Sequence, residues 1–127
     1  MLNEWVTGLQ HIGIPTSDIE EMIAFFQSFG FRAVYRTENE GQAVCFLQLK
    51  NVQLEAYQSK NAANAPGAIE HIALDVSDIE RVYAHVSSME YAIAENGIRY
   101  LPFWEKGVRF FTVIGPEQVK VEFSQKL

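Results

Sequence analysis

Four side chains in this 127-residue chain are of types that bind a divalent cation, and they recur at matching places: His11 and His71, Glu55 and Glu122. Two imidazoles with two carboxylates suit a borderline first-row divalent ion. In six-coordinate geometry they would leave two positions for water or for a substrate that chelates through two oxygens. A carboxylate at such a site also serves as a general base. Taken singly, none of the four stands out. A lone strand histidine is ordinarily packed in a core, and a lone strand glutamate ordinarily faces water. Their recurrence sets them apart.

The recurrence lies in a phrase written twice, HIGIPTSDIE at 11–20 and HIALDVSDIE at 71–80. Aligning 9–34 with 69–94 at an offset of 60 gives eight identities in 26 pairs, the mark of a duplicated structural unit. Each copy opens on a short apolar run, LQHIGIP or IEHIALDV, which reads as a strand with the histidine in its middle. Ser17 to Glu20 and Ser77 to Glu80 then spell Ser-x-x-Glu, the pattern of a capping box at a helix start. Behind it, Ile19, Met22, Ile23 and Phe26 fall at i, i+3, i+4 and i+7, as do Ile79, Val82, Tyr83 and Val86, so each helix buries one stripe. Gly30 ends the first helix. Glu90 stands at that place in the second, which predicts a different exit.

Three strand patterns follow in each copy: 31–37, 43–50 and 52–58, then 91–101 (broken near Asn96-Gly97), 108–114 and 119–125. The unit is βαβββ, written twice. The fold class is therefore α+β, with modules 1–58 and 69–127 forming a single domain over 1–127. The small, polar, Pro/Gly-bearing segment 59–68 is the connector.

A two-residue turn at Lys50-Asn51 fixes the register of the hairpin before it. Paired residue numbers then sum to 101, which sets Phe46 opposite Glu55. One face carries Ala43, Cys45, Leu47, Leu49, Val52, Leu54 and Ala56 and belongs under the helix. The other carries Val44, Phe46, Gln48, Gln53, Glu55 and Tyr57. In the last strand Val119, Val121 and Phe123 face the helix, while Lys120, Glu122 and Ser124 point away. Glu55 and Glu122 are thus equivalent, and a pseudo-twofold relation would turn two histidines and two glutamates toward one cavity. Cys45 reads as an inert buried thiol, and His85, at the edge of a helix stripe, as a structural or surface residue. Phe103-Trp104 either line a pocket mouth or cover the core.

The bulk numbers narrow the partners. A net charge of −6 argues against nucleic acid or an anionic membrane, since both call for a basic surface. One cysteine excludes an internal disulfide and suits a reducing cytoplasm. The N-terminus has no signal-peptide pattern, and no stretch has the roughly 20 apolar residues a membrane helix needs. The expected protein is cytoplasmic and binds a small molecule. Exposed edges of two small sheets predict a homodimer.

The paired βαβββ modules, the "HI" openings and the "VEF" of the last strand (121–123) resemble the vicinal oxygen chelate superfamily, which includes glyoxalase I, methylmalonyl-CoA epimerase, fosfomycin-modifying enzymes, extradiol dioxygenases and bleomycin-binding proteins. The resemblance covers nearly the whole chain. It implies a curved, partly open, barrel-like sheet of eight strands with the helices outside. It implies one divalent metal ion, zinc or nickel first, with manganese, cobalt and iron as further choices. The ligands would be His11, Glu55, His71 and Glu122, a pattern similar to that of bacterial glyoxalase I.

That likeness implies a lyase or isomerase acting on a small vicinal-oxygen substrate through an enediolate, with Glu122 as first choice for the base and Glu55 on the opposite side of the substrate. Glyoxalase I usually carries an arginine four residues after its first ligand and an asparagine four after its second, both serving glutathione. This chain has Pro15 and Ser59 there. The family's acidic turn before the last strand is here Gly115-Pro116-Glu117-Gln118. Both departures point away from glutathione as the substrate handle. The alternatives are a metal-free ligand- or antibiotic-binding protein of the same fold and an enzyme like methylmalonyl-CoA epimerase. A site for these four ligands would form either within one chain or across two copies.

Overall fold

The computed structural model describes residues 1–127. By its internal contacts the chain divides into two compact units, Met1–Ala62 and Ala63–Leu127. Each holds one copy of the repeat. The α+β class and the doubled βαβββ unit are both present, with the β structure in two separate sheets.

In the first unit, strand β1 (Ile12–Thr16) leads into helix α1 (Ile19–Gln27), then β2 (Arg32–Asn39), β3 (Gln42–Leu49) and β4 (Val52–Gln58). The sheet order is β1-β4-β3-β2, with β1 parallel to β4 and the remaining pairs antiparallel. The β3–β4 hairpin has the register that the turn residues predict, Phe46 opposite Glu55 and Leu49 opposite Val52. Lys50 takes a left-handed φ of 53° at that turn. Leu47, Leu54, Cys45 and Ala56 are buried on the face that meets Met22, Ile23, Phe25 and Phe26 of α1. Strand β2 is exposed along its whole length.

The second unit repeats this course with β5 (Ile72–Asp75), α2 (Ile79–Ser87), β6 (Ala92–Ile93), β7 (Arg99–Leu101), β8 (Val108–Ile114) and β9 (Lys120–Lys126). Its sheet runs β5-β9-β8-β6, with β7 also paired to β8. The run expected at 91–101 is indeed split, with Gly97 at a φ of 97° between the two pieces. Ile79, Val86, Phe111, Val113, Val121 and Phe123 are buried, and the Phe111 and Phe123 rings stack at 5.3 Å. Gly115–Gln118 forms a short 3-10 turn, which sets Thr112 opposite Glu122.

Three local expectations need correcting. The helix caps are Asp18 and Asp78, one residue later than the serines; their carboxylates accept from the N–H of Glu21 and of Arg81, each at 3.1 Å. A short carboxylate both reaches that donor and complements the positive end of the helix. Glu20 and Glu80, freed from capping, pair instead with Arg36 (2.8 Å) and Arg109 (2.6 Å). Next, the two helices do not leave differently: Glu90 adopts a left-handed φ of 64° where Gly30 has 97°. The chain must reverse there in both copies, and Glu90 does so at a steric cost that glycine avoids. Finally, His11 and His71 stand immediately before β1 and β5 rather than in mid-strand, because the parallel ladders begin at Ile12↔Leu54 and Ile72↔Val121.

One interaction ties strand to helix in both units. The Gln58 side chain, at the end of β4, accepts from the Ile19 N–H (3.0 Å) and donates to the Ser17 carbonyl (2.5 Å). Gln125, in β9, accepts from the Ile79 N–H at 2.8 Å. A helix leaves its first N–H groups without intrahelical partners, and here the last strand of the module supplies one.

Candidate functional site

Each module places one glutamate on its last strand and one histidine immediately before the strand paired with it. In the first, Glu55 on β4 lies beside Gly13 on β1, two residues after His11. Residues two apart in an extended chain share a face. Gly13 has no side chain to fill the space: a Cβ there would sit 3.8 Å from Glu55 Oε1 and 3.6 Å from Tyr57 Cε1. In the second, Glu122 on β9 lies beside Ala73, two residues after His71. A small residue therefore stands next to each glutamate.

The second pair is in direct contact. His71 Nε2 and Glu122 Oε2 are 3.3 Å apart. Two adjacent donors on one first-row divalent ion, each about 2.1 Å from it, are about 3 Å apart, so this pair fits a shared cation. Burial holds the Glu122 carboxyl above its ordinary range; the neighbouring Glu95 and Glu70 push the same way, while His71 opposes them. Thr112, across the ladder from Glu122, is buried and gives both its N–H (2.6 Å) and its hydroxyl (2.9 Å) to Glu95.

The first pair has a different wall. The His11 ring meets Phe46 edge-on at 5.6 Å, and Phe46 lies 6.1 Å from the Tyr35 ring. Phe46 is also the residue across from Glu55. The pair in the first unit is lined by aromatic rings, the pair in the second by a threonine and carboxylates.

Neither unit by itself gathers three or more His, Cys, Asp or Glu side chains in a cluster able to hold a metal ion. Each supplies a pair. His85 is exposed on α2. Cys45 is buried, and burial pushes its thiol up, which keeps it protonated and inert.

The sequence reading missed the residues that hold the histidines. His11 Nδ1 is 2.9 Å from Gln10 Oε1, and His71 Nδ1 is 2.8 Å from Glu70 Oε1. Lys120 donates to the other Glu70 oxygen at 2.7 Å, and Lys120 and His71 hold the Glu70 carboxyl below its usual range. A signal existed: positions 10 and 70 align in the repeat as glutamine against glutamate.

Comparison with known proteins agrees with this architecture. The profile of the glyoxalase/bleomycin resistance protein/dioxygenase superfamily matches residues 10–124. The uncharacterised protein YwbC of Bacillus subtilis is 27% identical over 125 residues, covering 93% of this chain and 97% of its own. A glyoxalase family protein from Enterococcus faecalis superimposes with a TM-score of 0.78 at 20% identity, over 94% of this chain and 98% of that one. The fosfomycin resistance protein FosX from Listeria monocytogenes, solved with Mn(II) and sulfate, superimposes with a TM-score of 0.72 at 12% identity, over 96% and 94%. No helix of the chain is long and apolar enough to cross a membrane.

Proposed function

The chain belongs to the glyoxalase/bleomycin resistance protein/dioxygenase superfamily, and from that premise we propose that it is a divalent-metal-dependent lyase or isomerase of the glyoxalase I type, acting on a small substrate with two adjacent oxygens. The observation that carries this reading is the 3.3 Å approach of His71 Nε2 to Glu122 Oε2, matched by a second His/Glu pair at the equivalent place of the other module. His11, Glu55, His71 and Glu122 would hold the ion. Both modules then act as one domain, and the protein works as a homodimer on a small molecule in the cytoplasm. The metal-bearing FosX structure supports a cation in this fold.

When bound, the cation supplies the Lewis acidity that makes a proton next to a carbonyl removable. The protein's own groups do the rest. Glu122 takes the proton, its carboxylate standing 3.3 Å from the His71 ring nitrogen and able to hold a proton briefly and return it. Glu55 stands on the other pair and returns or removes a proton on the opposite side of the substrate. Phe46 and Tyr35 give the first half an apolar wall against which a carbon skeleton packs. With Pro15 and Ser59 in place of the arginine and asparagine that serve glutathione, the substrate carries another handle.

The test is elemental analysis of protein purified without chelator, joined to assays on methylglyoxal–thiol adducts and 2-methyl-branched acyl thioesters. About one equivalent of zinc, nickel, manganese, cobalt or iron per four-ligand site, with turnover that chelator abolishes, is the expected result. Metal-free protein that binds a ligand without turning it over would establish a sequestering module instead.

A further inference from the structure

We propose that Glu70 and Gln10 are positioning residues that set the tautomer of the two histidines, committing Nδ1 of each ring to a hydrogen bond and leaving the Nε2 lone pair for a cation. This rests on the metal-site reading above. In both modules the residue before the histidine turns a side-chain oxygen onto Nδ1, at 2.9 Å in the first and 2.8 Å in the second. A carboxylate only accepts, so Glu70 requires the proton on Nδ1. Glu70 is itself held at both oxygens, Oε1 by His71 and Oε2 by Lys120 Nζ. On the other side of the ring, Nε2 faces Glu122 Oε2 at the longer distance of 3.3 Å. In a neutral ring the shorter contact takes the proton, and a lone pair and a carboxylate oxygen then converge on the same point.

Outer partners of this kind orient a ligating imidazole and raise its donor strength, and their loss typically costs ten- to a hundred-fold in metal affinity. The two modules differ in kind: Gln10 is neutral, whereas Glu70 is charged and backed by Lys120. The positions equivalent to Lys120 and Glu122 in the first module are Gln53 and Glu55, so the neutral pair Gln10/Gln53 stands where the second module has Glu70/Lys120. His71 is thus the more strongly donating ring of the two.

The experiment reads the rings before any metal is added. Long-range proton–nitrogen correlation spectra of the full, chelator-treated chain are recorded at alkaline pH, with exposed His85 as internal reference, followed by nickel(II) titration in a calorimeter. His71 and His11 should carry their proton on Nδ1. Glu70→Ala should move the His71 proton to Nε2, leave His11 unchanged and weaken nickel binding by about ten- to a hundred-fold. Glu70→Gln, which keeps an acceptor oxygen, should restore most of both. A wild-type His71 protonated on Nε2, or a Glu70→Ala variant with unaltered tautomer and affinity, would overturn the assignment while leaving the metal site intact. The tautomer switch with no nickel bound by any form would uphold the positioning and defeat the proposed enzyme instead.

Discussion

The two modules share a scaffold and differ in what they place on it. Helix caps at Asp18 and Asp78, ion pairs at Glu20–Arg36 and Glu80–Arg109, and strand-to-helix bonds from Gln58 and Gln125 recur almost atom for atom. Around the histidine and glutamate the likeness stops. The first module sets His11 against Phe46 and Tyr35, while the second surrounds His71 with Glu70, Glu122 and, one step further, Glu95. Duplication preserved the parts that hold the frame and let the lining diverge.

The largest effect should come from the carboxylate chosen as base. Glu122→Gln is expected to cut turnover by about 100-fold or more, measured on whichever thioester or thiol adduct the wild type converts. Glu55→Gln should be comparably damaging if the modules share the chemistry evenly. A variant at 122 with wild-type turnover would remove it as base and break the assigned asymmetry.

Next come the strand-to-helix bonds. Gln58→Ala and Gln125→Ala each leave a helix N–H without its partner, at a cost of about 1 kcal/mol. Gln58 makes a second bond, to the Ser17 carbonyl, so its loss should be the greater by chemical denaturation. Equal losses would mean that this extra bond contributes little.

The helix exits offer a pair of opposite signs. Gly30→Ala should destabilise by about 1 kcal/mol, and Glu90→Gly should stabilise by up to about 1 kcal/mol, because both positions are left-handed and only one is glycine. Thermal unfolding of the two variants checks it; the same sign for both would refute a common exit.

The smallest effect concerns pH. Burial, chiefly, makes the folded, metal-free protein hold the Glu122 proton more tightly than the unfolded chain, whose value is near 4.5. The contribution of Glu122 to stability is then fully present below the unfolded value and is lost as pH rises through the folded value. Glu122→Gln should therefore raise Tm at neutral pH in the absence of metal and change nothing below the unfolded value. A Tm gain confined to acid would contradict the sign.

Much of the frame was readable because it rests on local rules. The Lys50-Asn51 turn fixed one hairpin residue by residue, since a two-residue loop permits a single pairing. The Asn96-Gly97 break was readable from a turn-forming dipeptide, where Gly97 takes a φ of 97°. The pairing of β8 with β9 was not, because Gly115–Gln118 forms a 3-10 turn whose length sets no unique register. The serine caps were misplaced by one residue: Ser-Asp offers two capping side chains in succession, and only the backbone at 18 and 78, extended before the helix, selects the aspartate. The four proposed ligands were nameable from their recurrence. Their supports were not: Gln10 and Glu70 touch the ring of the very next residue, but which way an exposed side chain turns is not written in the spacing, and Lys120 meets Glu70 from a strand fifty residues away. Glu95 is hidden in the same way, its carboxylate engaged by a threonine seventeen residues away.

The glutamines at 58 and 125 have a further consequence. Each sits three residues beyond its module's glutamate, on the same strand, so the segment that presents the acid is fastened at its far end to the start of a helix. A shift of that acid along the strand axis would drag the fastening with it and strip a donor from the helix. Side chains on such an anchored segment are free to be exchanged for new ones, since the anchor resists sliding whatever they are. New specificity could then be gained by repainting the lining while the acid keeps its station.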